Sequence, residues 1–324
     1  MCLVALGIDS SRRFPLVVAA NRDEFFDRPV ARLAWWAPQT GAASVLGGRD
    51  LASAGTWMGL TAQGRLALLT NVRGGVPADA GAPSRGSIVT EWLAAREPTD
   101  RFWMRTALSG HNGFNLIAAD FAQGECFWAS NTGAHPKRLE RGVYGLSNGG
   151  LDAPWPKVVA LKHRLGAAMQ AAASTDELAT QLFAALADRA IAADPDLPQT
   201  GLPLERERQL SPAFIRTPDL RYGTRCSTLI ITERVGRHPV THVYERSFNA
   251  SGAIALLRHV SLRNWPPRYR YDEGEARRAV EESAVSDIEI TRGPEPDTQR
   301  RMTRVRSLLK PTQSRRRRGA DVPA

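Results

Sequence analysis

Cysteine is scarce in this chain: three among 324 residues, at positions 2, 126 and 226, with no two close together. An odd, scattered set excludes a disulfide framework and a structural zinc cluster. The six histidines fall in no HExxH or comparable spacing, so no metal site is expected, and no motif calls for a cofactor. No apolar stretch approaches about 18 residues, which excludes a membrane-spanning helix. Asp9, Arg12 and Arg13 interrupt the first apolar run and no small-residue cleavage site follows, so a signal peptide is not expected and the expected location is cytoplasmic. Internal repeats are also lacking.

Excess charge is missing from most of the chain as well. The formal charge is +10, but nine cations between Thr298 and Ala324 (Arg300, Arg301, Arg304, Arg306, Lys310 and Arg315 to Arg318) face one acid, Asp321, so +8 belongs to the tail. The other residues carry about +2, which is no nucleic-acid footprint; only non-specific binding by the basic tail is expected. What is present is ordinary for a folded domain: 43% hydrophobic and 23% charged residues.

Cys2 to Ile8 and Pro15 to Ala20 are apolar runs separated by Asp9 to Arg13, the pattern of a hairpin. Their continuous apolarity predicts cover on both faces. Trp35 to Gly48 reads as a loop, and Thr56 to Thr61 with Arg65 to Thr70 as a second hairpin around Gln63-Gly64. Ser84 is the expected N-cap of a helix through Ala95, and Thr99 to Ser109 continues helically. Strand signals return at Gly113 to Ala118, Cys126 to Trp128 and Gly142 to Leu146. Pro154-Trp155-Pro156 opens a helix to about Met169, and Ser174 caps another from Asp176 to about Ile191. Residues 194 to 220 read as a long surface loop, followed by strands at Leu229 to Thr232 and Val240 to Phe248. The expected organisation is one domain over 1–285 and a basic, disordered tail over 286–324.

Position 2 carries the chemistry of interest. A small residue there is compatible with removal of Met1, leaving a thiol and a free α-amine on one residue. That amine titrates at about 7.7 to 8.0 and serves as base for its own side chain. The other reading of Cys2 is a small core residue in an apolar strand. Asn21-Arg22-Asp23-Glu24 follows the second run: an arginine beside a thiol favours the thiolate and a carboxylate orients an amine, or the cluster is a solvated strand end. Asn71 and Asn148 each close a strand, as oxyanion donors or as turn residues. Arg225 stands before Cys226, to bind a substrate carboxylate, orient the nucleophile or pair with an acid. Trp35, Trp36 and Trp57 offer one wall of a pocket or plain anchors.

Taken together these segments resemble the NRDE family, named for the Asn21 to Glu24 tetrapeptide, whose animal members are called transport and Golgi organisation protein 2. The resemblance also rests on Arg28-Pro29, Gly47 to Asp50, Gly55 to Gly59, Leu69 to Arg73, Ser84 to Gly86, Gly113 to Leu116, Gly145 to Asn148, Pro154 to Lys157 and Tyr222 to Arg225. The family in turn is similar to the choloylglycine-hydrolase and penicillin V acylase branch of the N-terminal nucleophile hydrolases. That similarity implies an α+β fold, a four-layer αββα sandwich, and cleavage of a non-peptide amide by an N-terminal cysteine. It assigns Cys2 as nucleophile, Arg22 and Asp23 as the charged pair beside it, Asn71 and Asn148 as oxyanion or amine-orienting groups, and Arg225 as a distal arginine. Asn21, Glu24 and Trp57 fall to substrate binding. Two functions are expected from it: a cysteine amidohydrolase or acyltransferase acting after Met1 removal on a small-molecule amide or acyl compound, or a non-enzymatic carrier for haem or acyl-lipid metabolites.

Overall fold

A computed structural model describes residues 2–74, 78–133, 135–235 and 238–267, and the backbone of 286–288. Among these residues, fourteen strands form two antiparallel sheets of seven. The first sheet has the order β10 (Gly142–Leu146), β1 (Cys2–Ile8), β2 (Leu16–Phe25), β11 (Tyr222–Val235), β12 (His238–Phe248), β13 (Ile254–Arg263), β14 (Ser286–Ile288). The second runs in chain order: β3 (Val30–Trp36), β4 (Val45–Asp50), β5 (Met58–Thr61), β6 (Arg65–Asn71), β7 (Phe114–Asp120), β8 (Glu125–Ser130), β9 (Lys137–Arg138).

Side chains of β1 and β2 alternate between two cores, as a period of two demands. Val4, Leu6, Leu16 and Val18 meet Leu46, Leu60, Leu66 and Ile117 of the other sheet. Leu3, Ala5, Val17 and Ala19 instead meet Leu161, Leu165, Leu178 and Leu182 of helices α3 (Pro156–Ala171) and α4 (Thr175–Leu186). On the far side, Ala67, Leu116 and Ala118 of the second sheet pack on Val89, Trp92 and Phe102 of α1 (Gly86–Ala94) and α2 (Thr99–Ala107). The result is a four-layer αββα sandwich, and the unbroken apolarity of the first two runs reflects burial on both faces.

Several expectations need correction. Trp35 to Gly48 is not one loop: β3 and β4 occupy most of it. Gly47-Gly48 lies inside a strand, where a Cβ on Gly48 would overlap the Trp57 indole. Helix α4 stops at Leu186, five residues short of Ile191, because the Asn21 side chain takes the Leu186 carbonyl. Helix α1 begins after Arg85, which supplies no side-chain cap, while Ser84, one residue before it, accepts from Gly86 N through its hydroxyl at 3.3 Å. The stretch 194–220 contains α5 (Leu204–Leu210) and buries Leu197, Leu210, Phe214 and Ile215. Strand β13 had no sequence expectation at all. The compact unit ends at Ile288, so the first three residues of the expected tail form β14. The rest of the tail lies outside the described residues. No helix among them is long and apolar enough to cross a membrane.

Candidate functional site

The β1–β2 hairpin sets the site through its register. Cys2 pairs with Arg22, and across β2 Arg22 pairs with Cys226 of β11. The three residues therefore stand side by side on the face that looks toward the second sheet. On the other edge of β1, the register that joins Val4 to Leu146 carries on to bring Cys2 level with Asn148.

Arg22 is 5% exposed. Its Nη2 lies 3.2 Å from Asp50 Oδ2 and 3.5 Å from Glu24 Oε2, and its guanidinium rests 4.4 Å from the centre of the Trp57 ring. Nη1 is buried with no hydrogen-bond partner among the described residues. Asp50 is shared with Arg28 Nε at 2.6 Å, and its other oxygen accepts from the backbone of Ala52 and Ser53. A buried cation is thus held by a fixed carboxylate and an aromatic shelf, the conditions under which a charge survives desolvation.

Asp23 points to the opposite face, under the helices. It is 1% exposed and accepts from Thr224 Oγ1 at 2.7 Å. Burial pushes its carboxyl up, while Lys157 of α3 acts against that rise. Lys157 is itself buried, donates to the Leu210 carbonyl at 2.8 Å, and is brought down to about 8 by burial. A bulge between Thr224 and Cys226 lets both residues address β2 while Arg225 is extruded between them.

Where the two sheets approach each other, Asn148 Nδ2 donates to the Asn71 carbonyl at 2.7 Å, Arg73 N donates to the Asn148 carbonyl at 2.7 Å, and Ser147 Oγ donates to the Cys2 carbonyl at 2.9 Å. These bonds stitch the ends of β6, β10 and β1 together. The half-buried Asn71 side chain makes no hydrogen bond of its own among the described residues and is the free amide of the pair.

The expected site residues therefore separate. Cys2, Arg22, Asn71 and Asn148 come together, with Glu24 and Trp57 against Arg22 and Asp23 on the reverse face. Asn21 does not join them. It is 1% exposed, donates to the carbonyls of Leu186 and Ala213, and accepts from Ser227 Oγ, so it is a structural clamp and not a substrate contact. Arg225 is turned to the chain after β2, donating to the carbonyls of Phe25 and Arg28 and covering the Phe26 ring. Of the three tryptophans, Trp35 and Trp57 pack against the core between the sheets, with Trp57 beneath Arg22, whereas Trp36 packs on the core under α1 and α2, pairs with Arg49 and donates to the Gly47 carbonyl. Asp50, Lys157 and Arg85 belong to the neighbourhood and were not foreseen as site residues. Their signal was present, since each sits in a segment that carries the family resemblance.

Burial pushes the Cys2 thiol up, and the Cys226 thiol well up. Cys2 at rest is thus a thiol that needs a base to react. No group of three or more metal-ligating side chains exists among the described residues. A cavity of ≈ 790 Å³ opens at the other end of the strands, beside Ile8, Leu16 and Cys126. Another of ≈ 620 Å³ lies outside the second sheet, against Trp92, Phe102 and Trp103.

A family profile described as Transport and Golgi organisation 2 matches residues 1–250. The Transport and Golgi organization protein 2 homolog of Bos taurus is 33% identical over 266 residues, spanning 78% of this chain and 94% of that protein. The Homo sapiens homolog is 31% identical over 253 residues, 73% and 90% of the two chains. Among solved structures, a C2A mutant of conjugated bile acid hydrolase from Clostridium perfringens aligns with a TM-score of 0.40 at 11% identity, covering 89% of this chain and 96% of that one. The Caenorhabditis elegans ortholog of N-acylethanolamine-hydrolyzing acid amidase aligns at 0.40 and 9% identity, covering 71% and 92%.

Proposed function

The chain belongs to the transport and Golgi organisation 2 family, and from that premise we propose that, once Met1 is removed, it is a cysteine N-terminal nucleophile enzyme that hydrolyses or transfers the acyl group of a small non-peptide amide. The observation that carries this reading is the pairing of Cys2 with a buried, incompletely satisfied Arg22 at the edge where two sheets are tied by Asn148.

A thiol raised by burial is a poor spontaneous nucleophile, so proton removal must accompany attack. The Cys2 α-amine accepts the thiol proton as sulfur attacks the acyl carbon, and Arg22 stabilises the developing negative charge on sulfur. The tetrahedral oxyanion takes a hydrogen bond from the Asn71 carboxamide, whose backbone Asn148 fixes. A donor of this kind contributes about 2.7 to 4 kcal/mol of transition-state stabilisation. Collapse breaks the C–N bond, the amine leaves with the proton held by the α-amine, and a thioester on Cys2 remains. Water or an acceptor nucleophile then attacks the thioester and restores the thiol. Asp23, with Lys157 beside it, orients the α-amine. Glu24 and Trp57 hold Arg22 in place.

The test is reaction of the full chain with a p-nitrophenyl acyl ester, followed by mass mapping. An acyl adduct on Cys2, lost in Cys2→Ala, is expected. An adduct that forms equally in Cys2→Ala, or none at all, contradicts the reading.

A further inference from the structure

Of the cations around Cys2, all but one are accounted for. Arg22 and Arg28 share Asp50 and Glu24. Arg225 is spent on two backbone carbonyls and Phe26. Lys157 is bonded to Leu210 and faces Asp23 from the helical side. Arg85 is left. It is half-buried, its Nη1 donates to the Gly113 carbonyl at 3.2 Å, and it forms no ion pair among the described residues.

Its position follows from a chain of hydrogen bonds. The Gly113 carbonyl that accepts from Arg85 also accepts from Val72 N at 2.9 Å, next to Asn71. The Asn71 carbonyl takes the Asn148 amide, and the neighbouring Ser147 hydroxyl holds the Cys2 carbonyl. Arg85 therefore stands on the rim that carries Asn71. Electrostatics agrees with this placement: burial lowers the Arg85 pKa, and Glu24 and Cys2 are the charges that counter the shift. The side chain is anchored at the start of α1, where Gly86 accepts from Thr56 N at 3.2 Å.

We infer that Arg85 is a substrate-binding residue that selects amides bearing a carboxylate. A half-desolvated guanidinium with open donors is best satisfied by a planar anion that takes two of its N–H groups at once. A neutral amide leaves that cation unpaired, and a cationic one is repelled by it together with Arg22. The inference rests on the acyl-chemistry reading of the Cys2 site for its substrate class but requires no turnover.

Equilibrium binding to the full chain carrying Cys2→Ala tests it, with N-lauroylglycine and its neutral counterpart N-lauroylethanolamine as probes. The carboxylate probe should bind about 10- to 100-fold tighter, with an advantage that shrinks as salt is raised. Adding Arg85→Gln should erase the difference and leave the neutral probe's affinity unchanged, while Arg85→Lys should keep part of it. Equal binding of both probes, a preference that survives Arg85→Gln, or no binding of either overturns the inference. Its failure is separable from failure of the proposed reaction. A Cys2 acyl adduct without carboxylate preference removes only the role of Arg85, and a preference without an adduct removes only the chemistry.

Discussion

The two ends of the first sheet are built from the same three strands and differ in almost everything else. At one end Cys2, Arg22 and Cys226 stand in register, backed by Asp23, Asn21 and Lys157, all three buried. At the other, Ile8, Leu16 and Thr232 stand in register beside a cavity of ≈ 790 Å³. Arg141 and Arg234 border that cavity and enter no ion pair among the described residues. Burying a charge costs several kcal/mol even after relaxation, whereas a water-filled gap costs little. The end that concentrates buried charge is therefore the one whose sequence is constrained by chemistry.

Substitutions at the two ends should break this contrast unequally. Arg22→Met removes the cation beside the thiol while keeping its bulk on Trp57, and should slow acyl labelling of Cys2 by about 100-fold or more, read as a stopped-time mass ratio. Labelling within threefold of the parent would remove Arg22 from the site. Asn21→Ala strips partners from the Leu186 and Ala213 carbonyls and from Ser227 Oγ, all buried. It should cost about 3 to 5 kcal/mol in urea unfolding. A loss below about 1 kcal/mol would show that Asn21 is no clamp.

Lys157 gives the comparison a pH axis. Burial lowers it to about 8 from 10.5. Below about pH 8 it is charged in both folded and unfolded chains, so its contribution is constant. Between about pH 8 and 10.5 the unfolded chain binds more protons, and stability should rise with pH by on the order of 3 kcal/mol relative to Lys157→Met. A difference that stays flat over that window would contradict the buried ammonium. The smallest effect belongs to the far end: Arg141→Ala should change stability by no more than about 0.5 kcal/mol and leave Cys2 labelling unchanged.

The same contrast explains what was legible in the sequence. Cys2 and Arg22 lie on consecutive strands of one hairpin, so local spacing suffices to place them face to face. The paired cores were also readable, because Leu3 to Leu6 and Val17 to Ala20 are apolar at every position. Asp50, Lys157 and Arg85 reach the site from three separate elements, and no local period encodes that convergence. Glycines at 47 and 48 read as the end of a loop because the partner that requires them, Trp57, lies nine residues beyond Gly48. Glu207 appeared as one of many charges in a Pro-rich stretch. Its role emerges only when α5 brings it, 4% exposed, to within 3.2 Å of Arg73. Asn21, in contrast, was misread because membership of a polar tetrapeptide says nothing about which face of β2 each residue occupies.

The central claim turns on the first peptide bond. Intact-mass and N-terminal analysis of the native full chain should show Met1 absent and Cys2 as the first residue, carrying a single acyl group after exposure to the ester. A native protein that retains Met1 would have no α-amine on Cys2, and the proposed chemistry would be contradicted.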